Sequence, residues 1–394
     1  MSAPASHDAP TCPRAAFDYL PVGFFSSSMG LAGLSVAWHE ASNHYGVPLW
    51  IAHAIGILAV LAFLAVLCGY GCKVLSSWQV VKEEFLHPVG GSLFATLWIA
   101  LLLLPIIVEP WSRDLALALW VIGACGMTLF AVVTVNRWIS NRQQLAHATP
   151  AWIIPVVGML DLPLAMPTLG LQADADIALF ALALGLFFSL PLFTMIFSRL
   201  LFEAPMPDGA RPSLLILVAP FAVGYSAYVT VSGGHDRFSE SLYMLMLFML
   251  LALLRQMRNL ISCCPFRISW WAVGFPLAAS AICALREAAI RPGLFTNGVA
   301  ILLLAIATIA ILGLLWRTLK GMAQGELRAL SAPRARSDPR AARLRPSRRR
   351  VMKRIMEIRS EPDHKATLRA ISRLMESEPQ IARWPSRAYP QAYP

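Results

Sequence analysis

The stretch Ile268–Arg286, ISWWAVGFPLAASAICALR, is apolar enough to cross a bilayer yet carries a Gly-Phe-Pro step at its middle. Pro276 has no N–H, and its ring crowds the carbonyl four residues earlier, so a helix through Ala272 is expected to kink or open there. Freed backbone groups are tolerated at membrane depth only where they pack on protein or line a water-filled cavity. We therefore expect this helix to face the interior of a bundle, with Phe275 at the bend beside Gly274.

The composition is that of an integral membrane protein. Of the 394 residues, 57% are hydrophobic and 14% are charged, and the mean hydropathy is +0.60, whereas soluble proteins carry about 25% charged residues. A bilayer core of about 30 Å needs about 20 apolar helical residues, and ten such stretches follow one another. The predicted spans are Tyr19–His39, Val47–Cys72, Gly91–Val108, Asp114–Asn136, Ala151–Leu171, Asp176–Ser198, Pro212–Ser232, Phe238–Leu260, Ile268–Arg286 and Leu294–Trp316.

The two ends of the chain differ from the spans between them. Residues 1–18 lack the apolar region and cleavage site of a signal peptide, so we expect a short cytoplasmic segment and a first helix that is kept. Residues 317–394 hold 19 of the 33 Lys and Arg residues against seven acids, which predicts a basic, mostly disordered tail. Its expected partner is anionic lipid and not nucleic acid, because no folded nucleic-acid-binding module accompanies it.

The distribution of basic residues predicts the orientation of the ten-helix domain at residues 19–316. Ten Lys and Arg residues lie in the N-terminal segment and the even-numbered connections, against four in the odd-numbered connections. Because Lys and Arg accumulate on the cytoplasmic side, both termini are expected in the cytoplasm. We expect a multi-pass protein of a bacterial-type inner (plasma) membrane.

No cofactor, metal or catalytic site is predicted from the cysteines, histidines and acids. Glu83, Glu84 and His87 lie within one helical turn, but the second His of a metalloprotease motif is missing. We expect an interfacial helix there that stops at His87-Pro88. No nucleophile, metal or acid–base cluster was found at a membrane face, so the chain is not expected to be an enzyme.

Proline alternates between the spans. Each odd-numbered span contains proline, and the positions we take as helix breaks or pore hinges are Pro21, Pro105, Pro155, Pro220 and Pro276. The even-numbered spans are nearly free of it, with Pro191 in the sixth span as the exception. This pattern predicts five helical hairpins whose broken members gather inside, as in a pore or substrate path. The alternative is chance combined with packing, since membrane helices are rich in proline in general.

Hydroxyl side chains in the first span are candidates for lining such a path. Gly23 with Ser27, and Ser26 with Gly30, place small residues four apart, which lets neighbouring backbones approach closely. Ser26 and Ser27 could replace part of an ion's hydration shell. The alternative is that their hydroxyls bond the backbone of their own helix.

Asp161 is the one ionisable residue well inside a span, and a carboxylate at that depth is a functional hypothesis because it is costly. It could take part in permeation or relay protons. It could instead cap the helical segment that restarts at Pro163 by accepting orphan N–H bonds. From the residues alone the two readings are equally good.

Five motifs carry a resemblance to a known family: LPVGFFSSSMGLAGLSVAW (20–38), HPVGGSLFATL (87–97), TPAWIIPVVG (149–158), LLILVAPFAVGYSAY (214–228) and WWAVGFPLAA (270–279). In order and spacing they resemble the tellurite-resistance and dicarboxylate transporter family of the voltage-dependent anion channel superfamily, which includes plant guard-cell slow anion channels. The resemblance runs from about Leu20 to about Trp316. It departs from the family in the fifth span, where Asp161, Pro163 and Pro167 stand in a stretch that is more neutral elsewhere.

The resemblance implies a homotrimer in which each subunit has five hairpins with the odd helices around a central pore. It further implies that a phenylalanine of the ninth helix occludes the pore, and the match places this role on Phe275. From the residues alone, Phe275 is more simply a lipid-facing or core side chain. The expected function is passage of small inorganic or organic anions through a phenylalanine-gated pore. The alternative is a proton-coupled exporter of C4-dicarboxylate, sulfite or tellurite-type oxyanions.

Overall fold

The computed structural model describes residues 17–171, 175–263 and 266–331, and every regular element within these ranges is helical. The expectations for the segment before residue 17 and for the tail beyond residue 331 lie outside the described residues. The long spans are labelled α1 Phe25–Tyr45, α2 Trp50–Ser76, α3 Ala95–Val108, α4 Arg113–Ser140, α5 Pro150–Leu169, α6 Ala175–Phe202, α7 Ala219–Ser232, α8 Arg237–Cys263, α9 Gly274–Ile290 and α10 Leu294–Ala323.

These spans confirm an all-α membrane protein. Nine of them in the described part of the chain, α2 to α10, are long and apolar enough to cross a membrane by length and composition, when α3, α7 and α9 are counted with the 3₁₀ turns that precede them. The remaining span, α1, has 21 residues but ends in the polar run HEASNHY, which lowers its hydropathy. The largest differences from the expected span ends are in α1, which continues six residues further to Tyr45, and in α10, which continues seven residues further to Ala323. The ends of α2, α4, α6 and α9 each lie four residues beyond the expected ones.

The spans pair into five hairpins around a ring of odd-numbered helices, as predicted. Each odd helix packs against the even helix that follows it. Around the ring, α1 packs on α3, α3 on α5, α5 on α7, α7 on α9, and α9 again on α1, so the ring closes. The even-numbered helices form the outer layer.

Burial separates the two layers sharply. In α3, α5, α7 and α9, with their leading turns, 72 to 83% of the most apolar stretch is buried, against 28 to 33% in the even-numbered helices. The outer helices expose apolar residues such as Leu129, Leu251 and Ile309. Such a surface suits lipid, because an apolar side chain gains nothing by facing water.

All five inner spans contain 3₁₀ turns, whereas the outer helices are continuous over 27 to 30 residues. Four inner α-helices follow a 3₁₀ lead, at Val22–Phe24, Gly90–Phe94, Asp208–Val218 and Ile268–Val273. The remaining inner span, α5, alternates short 3₁₀ and α segments along its whole length. The irregular backbone therefore lies in the inner layer, where protein surrounds it.

The prolines mark these junctions, and this corrects the expected kinks. The 3₁₀ lead before α9 ends at Val273, so Pro276 falls in the first turn of α9, where a missing N–H costs no hydrogen bond. Pro220 and Pro155 likewise occupy the first or second position of an α segment, and Pro21 precedes the lead into α1. Pro105 alone of the five lies inside an α-helix, near the end of α3.

A carboxylate to which the sequence analysis assigned no role, that of Glu84, binds the beginning of the first inner span. Glu84 lies in the short helix Trp78–Leu86, which ends before His87-Pro88 as predicted. Its Oε1 accepts the backbone N–H of Val22 at 2.7 Å, and its Oε2 lies 2.7 Å from Nζ of the buried Lys73. The ammonium also donates to the carbonyl of Leu20 at 2.7 Å. Glu84 thus satisfies an orphan N–H at the beginning of the first span.

Candidate functional site

The inner face of α9 is the candidate site, and its neighbours define it. On one side lies α1: a Cβ placed on Gly30 would lie 3.4 Å from the Cα of Gly274, and one on Gly33 would lie 3.0 Å from Cβ of Ala278. On the other side lies α7, whose Tyr225 hydroxyl donates to Glu287 at 2.9 Å. The backbones of α1 and α9 therefore approach closely at Gly30 and Gly274.

Helix geometry places four residues between these two sides. Successive residues of an α-helix are rotated by about 100°. Phe275, Ala279, Ile282 and Arg286 consequently share the face between the α1 contacts and the α7 contacts. The opposite side of α9 faces the outer helices. Arg291, which follows the last residue of α9, pairs with Glu240 of α8, and Ile311 of α10 lies near Gly274.

Phe275 is buried on this inner face, with 5% of its surface exposed. Its ring lies against Gly33 of α1, because a Cβ added there would meet Cδ2 of the ring at 3.2 Å. The absence of a side chain at Gly33 leaves the space that the ring occupies. This arrangement holds a large apolar group on the face directed into the ring of helices.

The two candidate serines use their hydroxyl protons within the first span. Ser26 Oγ donates to the carbonyl of Gly23 at 2.5 Å, and Ser27 Oγ donates to that of Phe24 at 2.7 Å. An anion is bound through donated protons, and a hydroxyl has one. In this conformation neither serine offers its proton to an anion. Both hydroxyls instead bond the backbone of their own span, which was the alternative reading.

Asp161 lies inside the 3₁₀ piece Gly158–Ala165 of α5 and has 1% of its surface exposed. It caps no helix, since the cap positions of the adjoining pieces are Val157 and Ala165. Its Oδ1 is buried without a hydrogen-bond partner among the described residues. An unpaired buried carboxyl oxygen is costly. The cap reading does not describe Asp161 in this geometry, and a role in permeation or in a proton relay stays a hypothesis.

Ionisable side chains form a hydrogen-bonded cluster at the predicted outer end of α9. The sequence analysis did not predict that these residues lie close together. Glu287 is buried and lies 2.8 Å from Nε2 of His235 and 3.5 Å from Nη1 of Arg291. In the adjoining loop the pKa of Asp236 lies below its usual range, because the Tyr228 hydroxyl and backbone N–H groups donate to the carboxylate. These bonds tie α7, α8 and α9 together.

Arg286 is a functional candidate that the sequence analysis missed, because it is one of the four basic residues assigned there to the odd-numbered connections. Its Nε donates to Oε1 of Glu40 in α1 at 2.8 Å. The signal was present in the spacing, because eleven residues separate Arg286 from Phe275 and eleven residues return to the same helix face.

Comparison with known proteins gives a family match and several relatives. Residues 19–319 match the family model described as voltage-dependent anion channel. The S-type anion channel SLAH3 of Arabidopsis thaliana is 27% identical over 307 residues, covering 76% of this chain and 48% of that protein. The guard cell S-type anion channel SLAC1 of the same plant is 23% identical over 310 residues, with 76% and 55% covered.

A bacterial relative is matched more completely. The tellurite resistance protein TehA homolog of Haemophilus influenzae is 25% identical over 309 residues, covering 78% of this chain and 92% of that protein. By contrast, this chain spans about half the length of the two plant channels SLAH3 and SLAC1. The family match takes in the first nine spans and most of α10, which continues four residues beyond residue 319.

Proposed function

The chain belongs to the voltage-dependent anion channel family, and we propose that it passes small anions across a membrane along the axis of its ring of inner helices, with Phe275 as the gate. The observation that carries this proposal is the position of Phe275 on the inner face of α9, against Gly33 of α1. The family match supports the transport of anions.

The physical basis of the gate is bulk together with dewetting. A benzyl ring fills a narrow passage and offers no hydrogen bond, so an anion passing it has to shed water without replacement. The 3₁₀-to-α junction at Gly274 directly precedes Phe275, and a 3₁₀ stretch within a longer helical span often marks a hinge. Opening then requires the ring to move off the axis.

No basic side chain lies at the middle of the inner spans among the described residues. Preference for anions then has to come from elsewhere, and the candidates are oriented backbone dipoles at the 3₁₀ junctions and charged residues at the ends of the path. Ser26 and Ser27 can contribute only after releasing the carbonyls to which they donate.

The experiment is a recording from purified wild-type protein in planar bilayers under a chloride gradient. We expect currents that reverse at the chloride equilibrium potential and do not depend on a pH gradient. Absence of anion current from both well-folded wild-type protein and well-folded Phe275→Ala, in which the closing ring is removed, would contradict the proposal. Saturable uptake that needs a pH gradient would replace the channel by a carrier.

A carrier is the second candidate because of Asp161. Its buried and unpaired Oδ1 suits a carboxyl group that gains and loses a proton during a transport cycle. The cargo in that case is a C4-dicarboxylate, sulfite or a tellurite-type oxyanion. The relative from Haemophilus influenzae is named as a tellurite resistance protein homolog.

The proposal extends to assembly and location. We propose a homotrimer in a bacterial-type inner membrane, with both termini in the cytoplasm and the domain at 19–316 forming the path. The basic residues of the region 317–394 would lie next to anionic lipid. Accessible-cysteine labelling of single-cysteine variants from the two sides of sealed vesicles tests the orientation.

A further inference from the structure

Arg286 lies on the same face of α9 as Phe275 and eleven residues further along the helix. At 1.5 Å per residue this is about 16 Å toward the predicted outer end. A side chain on this face is directed toward the axis of the ring, because α1 and α7 flank it and the outer helices lie behind. Arg286 is therefore placed at the outer mouth of the path that the Phe275 ring closes.

The contacts of the guanidinium support this placement. Nε donates to Glu40 of α1 at 2.8 Å, whereas Nη1 lies 3.5 Å from the carbonyl oxygen of Ser226 and 3.4 Å from Oγ1 of Thr230, both in α7. In the closed ring, α1 and α7 are the two neighbours of α9. One side chain of α9 can reach both neighbours across the inner face.

The bonding of Arg286 leaves donors for a ligand. A guanidinium has five N–H donors, and only the bond to Glu40 is short, since the two contacts of Nη1 lie near the upper limit for a hydrogen bond. The ion pair is also open to solvent, with 22% of the Arg286 side chain and 25% of the Glu40 side chain exposed. An anion arriving from that side meets a guanidinium partly neutralised by Glu40.

We propose that Arg286 and Glu40 form an anion-binding site at the outer mouth, which concentrates small inorganic anions above the gate and sets selectivity for charge. This rests on the proposed function. The guanidinium attracts and hydrogen-bonds the anion, and Glu40 competes with the anion for the same donors. The site therefore holds an anion weakly enough for release toward the gate.

The competition gives two variants opposite effects. With anions entering from the Arg286 side at about 0.1 M salt, Arg286→Gln is expected to lower the current about three- to tenfold. Glu40→Gln removes the competitor and is expected to raise the current by a similar factor. Both differences are expected to shrink at about 1 M salt, where the screening length falls from about 10 Å to about 3 Å.

Arg237→Gln is the matched control. Arg237 lies at the same end of the bundle, where its side chain is 92% exposed and pairs with Glu240 on the outer helix α8. The variant removes the same charge away from the path, so we expect a change of less than about twofold. Size-exclusion profiles and thermal unfolding of each variant establish that it is folded.

The outcomes separate the inference from the proposed function. A purely structural role for the ion pair predicts that Arg286→Gln and Glu40→Gln lower the current together, and that result would overturn the inference. Equal effects of Arg286→Gln and Arg237→Gln would overturn it as well. If anion currents are present but unchanged in both mouth variants, the inference alone fails. If no anion current is found in any variant, the proposed function fails and the inference with it.

Discussion

Asp161 is the residue at which the two candidate functions give different forecasts. Its carboxyl is buried in the 3₁₀ part of α5 with Oδ1 unpaired, and it caps no helix there. A channel gated by Phe275 needs no proton at this position, whereas a proton-coupled carrier does. Asparagine keeps the size and polarity of the side chain and cannot bind or release the proton.

We expect Asp161→Asn to retain anion conductance with the wild-type reversal potential, because the path and the gate are unchanged. The measurement is bilayer recording together with vesicle uptake under an imposed pH gradient. Loss of a gradient-driven uptake present in the wild type would establish the carrier and contradict the channel.

Glu84 is the residue on which we expect the stability of the predicted cytoplasmic end to depend most. It neutralises the buried Lys73 and accepts the N–H of Val22. Removing one partner of a buried pair leaves an uncompensated charge, so Glu84→Gln is expected to cost about 3 to 5 kcal/mol. Thermal or denaturant unfolding in detergent measures this.

Glu83→Gln is the control for that prediction, because Glu83 is adjacent in sequence and exposed. Surface substitutions of this kind change stability by about 0.5 kcal/mol or less. Equal stability of the two variants would show that the contacts of Glu84 contribute little. Because Glu84 lies about 60 residues from Val22 in the chain, no local pattern announced this contact.

At the scale of elements, the contact between α1 and α9 positions the gate. Gly33 of α1 faces both Ala278 and the Phe275 ring, and a methyl group added there would lie 3.0 Å from the Ala278 Cβ. The contact leaves no room for a larger residue unless the helices separate or the ring moves.

Gly33→Ala is therefore expected to destabilise the protein by about 1 to 3 kcal/mol, or to displace the ring and raise anion conductance. Gly313→Ala in α10 is the control, since nothing lies within 4 Å of a Cβ at that position. That substitution is expected to be neutral or to stabilise by up to about 1 kcal/mol. Two variants that are alike in unfolding and in conductance would contradict the role assigned to Gly33.

The sequence analysis placed the irregular backbone in the correct spans, but it predicted kinked helices where the structure has 3₁₀ turns followed by α-helix. Proline in the odd spans predicted broken inner helices, and the inner spans are the ones with 3₁₀ turns. At Pro276, however, the backbone changes from 3₁₀ to α before the proline, which turns an expected kink into a helix start. Proline is tolerated where the backbone N–H makes no helical hydrogen bond. This holds both at a kink and in the first turn of a helix, so proline alone does not distinguish the two.

At the scale of the whole molecule, the five hairpins and the inner and outer layers were predictable because hydropathy and proline act along the chain. The residues that meet across the ring were not predictable in the same way. Glu40 and Arg286 are 246 positions apart, and only the closed ring of helices brings them together at 2.8 Å. Such a contact depends on which helices are neighbours, which neither composition nor periodicity specifies.

The most direct test of the account is the anion conductance of purified Phe275→Ala in planar bilayers with chloride and nitrate. If the ring closes the path, its removal is expected to raise conductance strongly, even though truncating a buried Phe costs about 3 to 5 kcal/mol. Phe63→Ala in α2 is the matched control, because Phe63 is equally buried, at 5% exposure, but packs on Phe25 away from the inner face of α9. Unchanged or lower conductance of well-folded Phe275→Ala would show that the gate lies elsewhere.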